Sequence, residues 1–201
     1  MDVSRETSAD HVSRETSDLI DLYRRELTAW NAHIRLATQD ERALADHVTD
    51  ATHLEAHAPS TRRWIDLGSG GGLPAIVVAI LRRATPTAFE LVEADARKSA
   101  FLRHAARRLA LDVTVTTDRI EDLPPRAAEV VSAQALAPLD RLLDLAHPHL
   151  AAGGRMLFPK GVRWRAEVDA ALERWRFDLH TVPSATREGA VILDIRNVEP
   201  R

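Results

Sequence analysis

Asp66-Leu67-Gly68-Ser69-Gly70-Gly71-Gly72 decides the fold. It follows a short apolar run, Trp64-Ile65, and opens into a second one beginning at Pro74. The reading is strand, glycine loop, helix. Glycines in such a loop allow close backbone approach by a ligand and positive φ. Glu93 lies 25 positions after Gly68 and ends the next strand-like run. A carboxylate there accepts hydrogen bonds from the two hydroxyls of a ribose. Loop and acid together predict a nucleoside-containing ligand at the carboxyl edge of a doubly wound sheet. A dinucleotide loop, G-x-G-x-x-G, needs a glycine at position 73, which is Leu73. That disfavours a nicotinamide dehydrogenase. The loop instead reads G-x-G-x-G after an acid, Asp66, which suits S-adenosylmethionine, a ligand with no pyrophosphate to cradle.

Working outward, strands are expected over 62–67, 88–93, 113–117, 129–133 and 155–158, with helices over 74–83, 96–109, 139–150 and 167–175. This alternation predicts an α/β domain with a largely parallel sheet. The runs 177–182 and 190–195 have a short link and are expected to close the sheet as an antiparallel hairpin. Upstream, helical spacing predicts helices over 17–31, starting at Ser17, and 39–56. The domain plan is a disordered tail over 1–16, a helical extension over 17–60 and a core over 61–201, the last two forming one compact unit. Residues 3–8 and 12–17 repeat Val-Ser-Arg-Glu-Thr-Ser, and two copies are too few for a solenoid.

Composition sets bounds. The 201 residues hold no cysteine, which removes disulfides, zinc–thiolate sites, iron–sulfur clusters and thiol nucleophiles. No apolar run approaches a membrane span, and the polar N-terminus does not read as a secretory signal. A cytoplasmic protein is expected. The net charge of −3, from 27 basic and 30 acidic residues, argues against a general nucleic-acid binder but allows a local basic face. Only Lys98 and Lys160 among the basic residues are lysines.

The residues from Trp64 to Pro74 resemble the first motif of the RsmG (GidB) methyltransferases. The resemblance continues through Leu91-Val92-Glu93-Ala94-Asp95-Ala96-Arg97-Lys98, Arg119-Ile120-Glu121, Ser132-Ala133-Gln134-Ala135-Leu136-Ala137-Pro138-Leu139 and Phe158-Pro159-Lys160-Gly161. Upstream it reaches Trp30-Asn31 and His47-Val48-Thr49-Asp50, so it covers nearly the whole chain. It implies a Rossmann-like class I S-adenosylmethionine-dependent methyltransferase fold. It also implies methyl transfer to N7 of a guanine in the decoding-region loop of 16S ribosomal RNA. The partner would be that RNA or the small ribosomal subunit, and the protein would act as a monomer.

The resemblance places the cofactor at Gly68, Leu73, Glu93, Ile120 and Glu121, beside Asp66, Gly70 and Gly72 of the loop. The family uses an arginine after strand four; here it is Gln134, expected near both cofactor and RNA. Arg35 and Ala75 are two further departures, standing where asparagine and glycine are usual. Guanine N7 carries an exposed lone pair, so its methylation needs no general base, and catalysis is mostly orientation. Gln134 and Lys160 are therefore expected to position rather than to move protons. The RNA face needs cations and stacking. Lys160, Arg163, Arg165, Arg35 and Arg97 are the expected contacts, with Trp164 interleaved.

His53 and His57 have two-histidine metal spacing but no third ligand, so no metal is expected. His147 and His149 are expected in a solvated loop, and His47 in a structural hydrogen bond. Two alternatives stand beside the main reading. One is a methyltransferase for a small molecule or protein, against which Lys160-Gly161 argues. The other is a relative that binds cofactor and RNA without turnover, for which Gln134 and Arg35 argue.

Overall fold

The computed structural model describes residues 13–37 and 40–201. Two helices precede the sheet. The first, α1 (Arg14–Asn31), starts where the Ser13 hydroxyl accepts the Thr16 N–H. Ser13, not Ser17, is thus the cap, and residues 13–16 belong to this helix start; residues 1–12 of the expected tail lie outside the described residues. Its buried residues Thr16, Tyr23, Leu27 and Asn31 make one stripe at helical spacing. The second helix, α2 (Glu41–His57), is capped by Asp40 and buries Leu44, Ala51 and Leu54.

The rest alternates: β1 (Arg63–Leu67), α3 (Ala75–Leu81), β2 (Ala88–Val92), α4 (Ala96–Arg108), β3 (Val113–Thr116), β4 (Ala128–Ser132), α5 (Leu139–Ala146), β5 (Leu150–Lys160), α6 (Trp164–Leu172), β6 (Trp175–Pro183) and β7 (Val191–Pro200). The strands form one sheet in the order β3-β2-β1-β4-β5-β7-β6. The first five in that order are parallel to one another, and β7 runs antiparallel to both β5 and β6. The α/β expectation and the closing hairpin are both met. Chain order reverses between β1 and β4, and ligands of such sheets bind at the carboxyl ends of the strands beside that reversal.

Alternate strand residues feed two cores. Trp64, Phe89, Leu91, Val130 and Leu157 pack with α1 through α4. Ile65, Leu67, Val92, Val131, Met156 and Phe158 pack with α5 and α6. The extension therefore shares its core with the sheet. Arg82 ties the two together: it bonds Glu55 and the carbonyls of Ala58 and Pro59, and its guanidinium lies 5.2 Å over the Trp64 ring.

Some boundaries differ from those expected. The run through Gly153-Gly154 is not a turn before β5 but part of it: Gly153 has φ +71° where the register with β4 shifts, a bulge that glycine accommodates. α5 stops at Ala146, before Pro148 and the short 3-10 turn His147–His149. α6 starts at Trp164, so the basic segment is a helix cap and first turn. The crossover from β3 to β4 carries only a 3-10 turn, Ile120–Asp122, in place of a helix.

Candidate active site

The loop after β1 continues the sheet ladder by one bond, Ser69 N–H to Val92 O at 3.0 Å. It then turns through positive φ at Gly68 (+67°) and Gly72 (+90°). A Cβ on Gly68 would meet Leu136 at 2.7 Å, and one on Gly72 would meet Ile76 at 2.5 Å. At these positions glycine answers both backbone and space. The extension leans on the same loop. The Tyr23 hydroxyl donates to Gly71 O at 2.7 Å, and a Cβ on Gly71 would lie 3.0 Å from Leu36 O. The Asn31 side chain fixes that stretch by accepting the N–H groups of Leu36 and Ala37.

Two buried carboxylates back the loop. Glu93 accepts Gly70 N–H and Asp95 N–H, each at 2.8 Å. Its expected ribose role therefore falls to the lone pairs that these bonds leave. Asp66 is 1% exposed and accepts the Ser132 hydroxyl at 2.5 Å; Ser132 in turn accepts the Trp64 indole N–H at 2.8 Å. Burial pushes the Asp66 carboxyl up to about 7, Ser132 and Ser69 oppose that, and the Glu93 charge adds to it. The sequence alone read Trp64 as an apolar strand residue and missed this relay. The residues fit S-adenosylmethionine, whose ammonium and sulfonium are cationic. A pyrophosphate would meet the two acids with like charge, and α3, after the loop, is only seven residues long. Asp66, Gly68, Gly70, Gly72, Leu73 and Glu93 are the set that would hold it, with Ile120 buried in the turn after β3. Glu121 points instead to Arg141, at 2.8 Å; a backbone hydrogen bond, more than the nearby arginines, holds it below the usual carboxylate range.

Beyond β4, Ala135 takes φ +53° and turns the chain back over the glycine loop. Gln134 Nε2 meets His47 Nδ1 at 3.2 Å. Lys160 is not a free cation: its Nζ donates to Ala137 O and Glu167 Oε2, both at 2.8 Å, and its side chain is 10% exposed. Glu167 also accepts Leu139 N–H, the first of α5. Lys160 thus clamps the β4–α5 loop from below. His47, Gln134, Leu136, Pro159, Arg163 and Arg187 belong to the lining of an open cleft of about 740 Å³ at this edge. Arg35, Arg97, Arg163 and Arg165 are exposed, and Arg165 lies 4.3 Å over the Trp164 ring. Neither His47 nor Arg187 was singled out as a cleft residue from sequence.

His53 and His57 serve structure. His53 bonds Pro183 O and His57 bonds His53 O, and no group of three metal-ligating side chains occurs among the described residues. His149 is buried rather than solvated, and burial holds its ring below the ordinary histidine value. No helix among the described residues is long and apolar enough to cross a membrane.

The GidB family model, described as rRNA small subunit methyltransferase G, matches residues 16–191. A Ruegeria sp. protein named ribosomal RNA small subunit methyltransferase G is 45% identical over 194 residues, 94% of each chain. One of the same name from Cereibacter sphaeroides is 44% identical over 190 residues, 92% of each. Among solved structures, a Bacillus cereus O-methyltransferase in complex with SAH has TM-score 0.59 at 13% identity, covering 94% of both chains. An M. jannaschii TYW2 in complex with AdoMet has TM-score 0.60 at 13% identity, covering 85% of this chain and 80% of that one. At that identity the two structures share the fold alone.

Proposed function

The chain belongs to the GidB family of rRNA small subunit methyltransferases G, and from that premise we propose that it methylates N7 of one guanine in the decoding-region loop of 16S ribosomal RNA. S-adenosylmethionine is the cofactor and supplies an electrophilic methyl group on its sulfonium. The protein works in the cytoplasm as a monomer. The observation that supports this reading is the juxtaposition at one sheet edge: a positive-φ glycine loop backed by two buried acids, beside a cleft with arginines at its rim.

Each residue then has a task. Glu93, joined by Asp66 once a cationic cofactor favours its carboxylate, gives the loop side a negative field. Leu136, against Gly68, closes the wall between loop and cleft and excludes water. Lys160 and Glu167 hold the β4–α5 loop at fixed height, so that Gln134 faces the cleft. Arg35, Arg97, Arg163 and Arg165 meet phosphates, with Arg165 braced on the Trp164 ring, which packs against the core. N7 donates its own lone pair, so no side chain has to take a proton; the gain is orientation of two partners in line.

A second reading, binding without turnover, is favoured by Gln134 alone. Labelled S-adenosylmethionine with small subunits lacking the modification separates the two, with Gln134→Arg run alongside. Label at N7 of one decoding-loop guanine in the native reaction supports the proposal. Label from the arginine variant only supports the second reading. Silence from both, with cofactor bound, points to another substrate.

A further inference from the structure

We propose that His47, oriented by Gln134, is the residue that selects guanine at the target position, by donating its Nε2–H to guanine O6. The inference rests on the N7 reading above and deepens it. α2 carries His47 to the lip of the cleft, where the ring is half-buried. The amide N–H of Gln134 can only donate, so Nδ1 of His47 is the acceptor at 3.2 Å. That leaves the ring proton on Nε2. Among the described residues, Nε2 has no hydrogen-bond partner.

The ring stays neutral. Burial holds it below the ordinary histidine value, and the Arg187 guanidinium across the cleft adds to this, against a smaller pull from Asp50 and Asp46 of its own helix. Asp50 is itself engaged, accepting the hydroxyls of Ser184 and Thr186 at 2.8 and 2.9 Å. Those bonds fix α2 against the β6–β7 loop and so fix the height of His47.

The chemistry of the acceptor does the rest. On the edge where methyl transfer takes place, guanine shows two acceptors, N7 and O6. N7 must stay bare to receive the methyl. Guanine is then told from adenine at position 6 alone, an oxygen acceptor against an amino donor. A group that can donate and cannot accept at its cleft face accepts the first and rejects the second. A neutral imidazole locked as the Nε2–H tautomer is such a group. Neutrality also matters, because the base gains positive charge as N7 is alkylated, and an imidazolium beside it would oppose that charge.

The test pairs a side-chain change with an atom change in the RNA. Small subunits are reconstituted with guanine or 2-aminopurine at the target position; 2-aminopurine keeps N7 and lacks O6. The native protein is expected to lose about tenfold in kcat/KM on 2-aminopurine. His47→Leu is expected to lose a similar factor on guanine and little more on 2-aminopurine. His47→Gln, which offers an amide N–H near the Nε2 position, recovers part of the loss. Gln134→Arg, which still donates to Nδ1, keeps the native ratio between the two RNAs. Cofactor affinity and thermal unfolding are measured for each variant, so a folding defect is read separately. If His47→Leu and the native protein lose the same factor on replacing guanine, O6 is not read by His47 and the proposal is overturned. If the native protein labels the guanine substrate elsewhere than N7, the proposed function itself fails first.

Discussion

Asp66→Asn changes how stability depends on pH. Asp66 is buried and its carboxyl is pushed up from 3.8 to about 7, mostly by burial. The folded state thus holds this proton more tightly than the unfolded chain does. Below about pH 4 both states are protonated, and the residue adds no pH dependence. From there to about pH 7 the unfolded chain ionises and the folded one does not, so folding stability falls as pH rises. The slope is about 1.4 kcal/mol per unit, and three units give about 4 kcal/mol in total. Above about 7 the loss is complete and the curve levels. Asparagine keeps a carbonyl for the Ser132 hydroxyl and removes the titration. The stability of Asp66→Asn relative to the native protein should therefore climb between pH 4 and 7 and then hold. Urea unfolding followed by tryptophan fluorescence at pH 5, 6, 7 and 8 reads this directly, since Trp64 sits in the same relay. A bound cationic cofactor favours the carboxylate, so native affinity for S-adenosylmethionine should weaken below pH 7, and the variant should bind weakly throughout. Parallel stability curves for the two proteins would refute the reasoning, because Asp66 would then be ionised across the range.

Tyr23→Phe removes a 2.7 Å bond and leaves the buried Gly71 carbonyl unpaired. A cost of about 1–3 kcal/mol is expected by chemical unfolding, with weaker cofactor binding by calorimetry because the loop loses its brace. Ala110 lies just past the cap of α4 at φ +50°, with Leu111 N–H bonded to Ala106 O and Ala110 N–H to Arg107 O. That pattern usually ends in glycine, so Ala110→Gly should stabilise by about 0.5–1 kcal/mol; a lower melting temperature would contradict it. Lys160→Met should leave the salt dependence of RNA affinity unchanged, because its charge is already met by Glu167. Arg163→Gln should lower the slope of log affinity against log salt by roughly 0.7–0.9.

The α/β alternation, the glycine loop and the paired acids were legible because each depends on local pattern: period two, period 3.6 and turn chemistry. Glu93 was found by its place at a strand end, and the structure puts it against Gly70. The strand-end position of Lys160 is legible, but its ion pair is not, since its partner Glu167 lies on a helix that starts three residues earlier than its pattern suggests. Ser132 carries no local mark of its role, because its link to Trp64 and Asp66 spans 66 to 68 positions. His47 and Gln134 are 87 positions apart. Contacts of that separation are made by the sheet and its packed helices, and no local pattern carries them. The cap of α1 was missed for a smaller reason: both Ser13 and Ser17 precede apolar spacing, and tertiary bonds from Arg83 to Glu15 and Thr16 favour the earlier start.

The crossover from β3 to β4 has a 3-10 turn where the other crossovers have helices. β3 is also an edge strand, and none of its residues is fully buried. Segments with little buried apolar surface open at low free-energy cost. The side that carries β3 is the cheaper one to open, while the cleft side is stapled by Lys160, Glu167 and Asp50. Soft end and stiff end lie on one sheet edge. A molecule so built can release spent cofactor through its soft end while the stapled cleft keeps its shape.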